Sequence, residues 1–149
     1  MSKITKTNSL NIEDIKKLIP HRYPFLLLDK VIDIVPFESG TGIKNVTSNE
    51  NFFQGHFVNN FVMPGALIIE SMAQAAGVIV LHSLNLSKEN NLSVFLMSIN
   101  KAKFRKPVCP GDVLKHKVLK KQQVKNIWKF SCKSYVESDL VSEAELSAI

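Results

Sequence analysis

The chain has 149 residues, 45% of them hydrophobic, so it is neither disordered nor too short to bury a core, and it is read as one domain spanning 1–149. A formal net charge of +6 favours acidic partners. No aromatic RNA-binding motif and no zinc-finger spacing accompanies that charge, so the lysines are read as solvated strand faces before any nucleic-acid surface.

The N-terminal segment lacks an apolar run of signal-peptide length, which gives a cytoplasmic reading. Residues 10–19 predict a short helix capped by Asn11 or Ser9, with Glu13 and Asp14 in its first turn. Pro20 and Pro24 end it. Residues 25–35 predict a strand, residues 39–47 its returning partner, and residues 49–63 a loop. From Gly65 to about Leu84 a long helix follows, apolar nearly all round. Glu70, Gln74 and His82 within it argue for a buried helix and against membrane insertion. After an Asn- and Ser-rich turn at 83–93 the period changes to two. Strands are predicted over 94–105, 113–125, 127–137 and 140–148, with turns at Lys125-Asn126 and Ser138-Asp139. Two strands, a buried helix and four strands call for a curved sheet around the helix. A dimer would cover what one sheet leaves open.

Chemistry concentrates between Gly55 and Gln74. Glu70 either faces inward, where a neutral carboxylic acid could donate a proton, or lies on an exposed strip with Gln74 at i+4; the helix alone does not choose. His56 sits in a turn-like Gly-His-Phe context and is a natural base; a lone loop histidine is more often unremarkable, but Pro64, Gly65 and Glu70 follow at short range. Gly65 follows Pro64 and could offer a backbone N–H and the helix dipole to a carbonyl, or could simply start the helix. His21, His82 and His116 form no metal-ligand spacing with Glu70, and His116, among lysines, is read as surface. Cys109 and Cys132 have no CxxC spacing and read as core residues or free thiols. A GxSxG motif is absent, which argues against a serine hydrolase.

Three blocks, 19–31 (IPHRYPFLLLDKV), 55–77 (GHFVNNFVMPGALIIESMAQAAG) and 101–112 (KAKFRKPVCPGD), resemble the (3R)-hydroxyacyl-[acyl-carrier-protein] dehydratases, the FabZ branch of the hot-dog fold. With the strand pattern between them, the resemblance covers nearly the whole chain. Glu70, where the sister dehydratase-isomerases carry aspartate, favours FabZ. The resemblance implies an α+β hot-dog fold and dehydration of a 3-hydroxyacyl thioester to a trans-2-enoyl thioester, a lyase reaction of fatty acid and lipid A biosynthesis. It implies His56 as base, Glu70 as acid, Gly65 N–H on the thioester carbonyl, and Phe57 and Pro64 against the substrate. It further implies no cofactor and acyl carrier protein as partner, docking on Lys101, Lys103, Arg105 and Lys106. The oligomer would be at least a homodimer, each site shared between subunits, or a hexamer built as a trimer of dimers. Val58 and Phe61 stand where the family usually has proline, which leaves the His56 loop less pre-set. A hot-dog thioesterase and a non-catalytic acyl-thioester-binding protein are the competing readings.

Overall fold

The computed structural model describes residues 8–86 and 94–149; the remainder of the predicted 83–93 turn lies outside them. Its elements are α1 (Ile12–Leu18), β1 (Lys30–Val35), β2 (Ser39–Asn45), α2 (Gly65–Ser83), β3 (Leu96–Phe104), β4 (Val113–Val124), β5 (Ile127–Val136) and β6 (Asp139–Ala148). The six strands form one antiparallel sheet in the order β1-β2-β4-β5-β6-β3. Helix α2 lies in its concave face and supplies the centre of the core with Met72, Ala75, Val78 and Ile79. This is the wrapped-helix architecture expected from the sequence.

Two glycines let the sheet close on the helix. Gly40 and Gly42 point inward from β2, and a Cβ at either would stand 2.7 Å from Ile79 or Ala75 of α2. Helix α2 is long and apolar enough to cross a membrane by length and composition, but 67% of that stretch is buried within the fold. At α1, Asn11 and Asp14 form a reciprocal capping box, at 3.0 and 3.1 Å.

The structure corrects the sequence reading in three places. The first strand begins at Lys30, not Phe25. The backbone between them is already committed: Phe25 and Leu26 N–H groups donate to the Arg22 carbonyl. The Gln74 side chain, from α2, then takes Leu27 N–H and Phe25 C=O. The last hairpin turns one residue earlier than expected, at Glu137-Ser138, where Glu137 adopts a left-handed φ of 55°.

The third correction is His116, which is fully buried and not on the surface. It shares the inward parity of β4 with Leu114 and Val118, while Lys115 and Lys117 take the outward one. Its Nδ1 lies 2.6 Å from Ser134 Oγ and its Nε2 2.7 Å from Ser71 Oγ, so the neutral ring ties β5 to α2. Burial, helped by the Lys44 charge, pushes its pKa down from 6.5 to about 3. The linkage has a definite sign. Above pH 6.5 the ring is neutral folded or unfolded, and its contribution is complete. As pH falls from there toward about 3, the unfolded chain binds a proton that the folded core refuses, and stability is lost. Denaturant unfolding across this window should show a loss on the order of a few kcal/mol. In the triple variant Ser71→Ala/His116→Leu/Ser134→Ala, which removes all three polar partners together, this component should be missing. Identical pH dependence of the two proteins would exclude His116 as its source.

Candidate active site

Glu70 stands one and a half turns into α2, between core positions Ile69 and Ser71. Its carboxylate is neither free on a surface strip nor sealed in the core: the side chain is 23% exposed. It opens into a cavity of about 340 Å³ whose walls are otherwise largely apolar, including Ile19, Phe25, Ala73, Gly77, Leu81 and Leu146. Gln74, one turn on, donates from Nε2 to Glu70 Oε2 at 3.1 Å. The same amide holds the 25–27 backbone, so a single buried glutamine fixes both the cavity wall and the acid. The sequence gives no sign that Gln74 holds the 25–27 backbone. His21, the second titratable side chain in this cavity, was not visible at all as a site residue, because 49 residues separate it from Glu70.

His56 belongs to a different part of the chain's surface. It lies in the loop before α2, half-buried, and is not among the walls of the Glu70 cavity. Its Nδ1 is 2.7 Å from the Val62 carbonyl. A carbonyl can only accept, so Nδ1 carries the proton and Nε2 keeps its lone pair. Val62 N–H returns a bond to the His56 carbonyl at 3.1 Å, and Phe57 and Asn60 exchange two backbone bonds at 2.9 Å. Phe57 stacks on the imidazole with ring centroids 4.0 Å apart.

Two contacts replace the stiffness that proline would bring to this loop. Phe61 stacks on the buried Phe53 at 5.0 Å, which pins the loop to the core. Met63 N–H donates to the Val108 carbonyl at 2.8 Å just ahead of Pro64. Val58 is 73% exposed and contributes nothing to that anchoring.

Pro64 is the N-cap of α2 and offers no side-chain cap to the first-turn N–H groups. Leu67 N–H bonds the Pro64 carbonyl at 3.0 Å, whereas the N–H groups ahead of it have no carbonyl a turn back to bond and carry the positive end of the helix dipole. Phe104 of β3 lies across this end: a Cβ on Gly65 would meet its ring at 2.8 Å. A side chain at Gly65 would have to displace the Phe104 ring, and Phe104 is a residue near the site that sequence reasoning missed.

The basic cluster is less uniform than its sequence suggests. Lys101 has a left-handed φ of 55° where β3 slips register against β6. Arg105 forms an ion pair with Glu143, bonding it from Nε at 2.8 Å and also from its terminal nitrogen. That bond holds the Glu143 carboxyl below its ordinary range, with Lys103 and Lys133 contributing. Lys106 faces Asp139 at 3.4 Å. Cys132 is buried in the core, where desolvation pushes its thiol up to about 12. Among the described residues no three His, Cys, Asp or Glu side chains cluster as metal ligands.

Comparisons with known proteins converge on one group. The FabA-like domain model matches residues 19–145. A 3-hydroxyacyl-[acyl-carrier-protein] dehydratase FabZ of Granulibacter bethesdensis is 52% identical over 140 residues, covering 94% of this chain and 82% of the relative. The FabZ of Ehrlichia ruminantium strain Gardel is 54% identical over 141 residues, covering 93% and 95%. In fold, the chain is similar to a component of the dehydratase heterocomplex ApeI:P from Xenorhabdus doucetiae. That match has a TM-score of 0.72 at 19% identity and covers 90% of this chain and 88% of the other.

Proposed function

The chain belongs to the FabA-like family and, within it, to the 3-hydroxyacyl-[acyl-carrier-protein] dehydratases of the FabZ type, and on that premise we propose that His56 and Glu70 are the base and acid of its reaction. The reaction itself is a dehydration: a 3-hydroxyacyl thioester on acyl carrier protein loses water in fatty acid synthesis. His56 Nε2 takes a proton from C2, and the released electron pair forms the C2–C3 double bond. The C3–O bond breaks as Glu70 protonates the departing hydroxyl, giving water and a trans-2-enoyl thioester. Gly65 N–H and the α2 dipole receive the negative charge that builds on the thioester oxygen. Each acid–base group is worth about a hundred- to ten-thousand-fold in rate, and such an oxyanion donor roughly a hundred- to a thousandfold. Every atom moved belongs to the substrate or to these two side chains, so the scheme needs no metal or redox cofactor. The observation that carries it is the bond from His56 Nδ1 to the Val62 carbonyl, because it leaves Nε2 unprotonated and available.

A single chain holds half of this site, since the cavity that contains Glu70 lacks His56. We therefore assign the second half to another copy of the chain, in a homodimer at minimum or a hexamer assembled from dimers. The unpaired outer edge of β3 supports this. It is long and apolar: Leu96, Met97, Ile99 and Phe104, with Phe95 just ahead of the strand, are each at least 39% exposed. A soluble protein does not leave such an edge bare. Phe57 and Pro64 would border the thioester beside Gly65. For the carrier protein, Lys101 and Lys103 are the stronger docking residues, because Arg105 and Lys106 are already ion-paired.

The test follows the ultraviolet absorbance of crotonyl-acyl carrier protein. Loss of the enoyl signal without thiol release is the expected result. Thiol release would identify a thioesterase instead, and no reaction would leave only acyl-thioester binding.

A further inference from the structure

His21 and Glu70 are the titratable side chains among the cavity walls, and they face each other: His21 Nε2 is 3.6 Å from Glu70 Oε2. Gln74 Nε2 approaches the same oxygen at 3.1 Å. The other ring nitrogen of His21, Nδ1, is buried with no hydrogen-bond partner among the described residues. A proton on Nδ1 would leave a buried N–H without an acceptor and would also turn the Nε2 lone pair toward a carboxylate oxygen. The ring therefore carries its proton on Nε2 and presents it to Glu70. Its surroundings hold it there. Phe25 stacks parallel to the imidazole at 6.1 Å and 12°. Arg22, the neighbouring charge, is spent on carbonyls: its guanidinium bonds those of His21 at 2.7 Å and of Ile19 and Lys16 at 3.0 Å.

The formed bond from Gln74 and the approach of His21 thus both fall on Oε2 and neither on Oε1. At 3.6 Å the His21 contact is longer than a formed hydrogen bond. Contacts of this kind tighten when charge appears on the acceptor. We propose that His21 is a positioning residue for Glu70: with Gln74 it directs the developing negative charge onto Oε2, so that Oε1 carries the catalytic proton. On turnover the O–H bond at Oε1 breaks as the C3–O bond of the substrate breaks. The proton leaves in water, and the electron pair stays on the carboxylate as His21 Nε2–H closes on Oε2. His21 keeps its own proton throughout. The inference rests on Glu70 being the general acid.

The experiment measures kcat and KM against pH for the wild type, His21→Phe and His21→Gln. Phenylalanine keeps the stack on Phe25 and the cavity wall but has no N–H. It should lower kcat about ten- to a hundredfold with KM within about twofold. A donor on a carboxylate favours the charged form, so removing it favours the acid. The alkaline limb of the kcat profile, which reports the group that must be protonated, should move to higher pH. Glutamine places an amide N–H near the position of Nε2 and should restore both kcat and the limb. Circular dichroism melting checks each fold, and His21→Met replaces His21→Phe if the latter does not fold. An unmoved kcat and limb in His21→Phe would overturn the proposal, as would a His21→Gln as impaired as His21→Phe. Glu70→Gln is assayed beside them. If it keeps turnover, the acid assignment has failed; if it is inactive while His21→Phe is unaffected, only the role of His21 has failed.

Discussion

His56→Ala should lower dehydration about a hundred- to ten-thousand-fold while leaving the fold intact. The rate loss follows from removing Nε2, the lone pair left free when Nδ1 bonds the Val62 carbonyl. Folding should survive because the side chain is only half-buried and outside the core cluster. The carbonyl it leaves behind lies in a solvent-accessible loop, where water can replace the lost donor. The loop keeps its own supports: the Phe61–Phe53 stack, the paired Phe57–Asn60 backbone bonds, and Met63 N–H on Val108. Carrier-protein affinity should therefore change little, and the loss should sit in kcat. The assay is crotonyl-acyl carrier protein hydration in the ultraviolet, with melting temperature as the check on folding. Turnover within about threefold of wild type would remove His56 as the base, since no positioned acid–base group contributes so little.

What the sequence made legible was whatever repeats at short range. The strand parity of β5 places Trp128, Phe130 and Cys132 inward and Lys129 and Lys133 outward, and it can be read from alternation alone. The apolar girth of α2 announces a buried helix in the same way. The errors arose where distant residues decide. His116 looked exposed because its neighbours are lysines, although its parity matches Leu114 and Val118. The 25–29 segment looked like strand because it is apolar, but a glutamine 47 residues away takes its backbone bonds.

The site divides along the same line. His56, Pro64, Gly65 and Glu70 fall within one stretch and were found together by motif. The groups that pack against them come from elsewhere in the chain. His21 reaches Glu70 from the turn after α1, Phe104 covers Gly65 from β3, and Phe53 holds Phe61 from a short 3-10 helix at Asn51–Gln54. No local pattern records these meetings, because three-dimensional packing makes them. The cavity that Glu70 lines does not include His56 of the same chain, in keeping with the expectation that each site is shared between subunits.

That separation gives Glu70→Gln its full value. Glutamine keeps the size of the side chain and a carbonyl that can still accept from Gln74 Nε2, so the cavity and the fold should persist. What it cannot do is give up a proton, and kcat should fall about a hundred- to ten-thousand-fold. Substrate binding should be largely retained, because the acyl chain meets apolar walls and not the carboxylate. The decisive step mixes this variant with His56→Ala by co-refolding. Each homodimer is inactive: one lacks every base, the other every acid. In a mixed dimer with shared sites, the His56→Ala chain supplies Glu70 and the Glu70→Gln chain supplies His56, so one site is whole and the other carries both lesions. Random pairing makes half the dimers mixed, and activity should return to about a quarter of wild type. If both groups instead act within one chain, mixing cannot rebuild a complete site and activity stays at the level of the single variants. The returned fraction thus tests two things at once: the acid role of Glu70 and the assignment of its base to a second subunit.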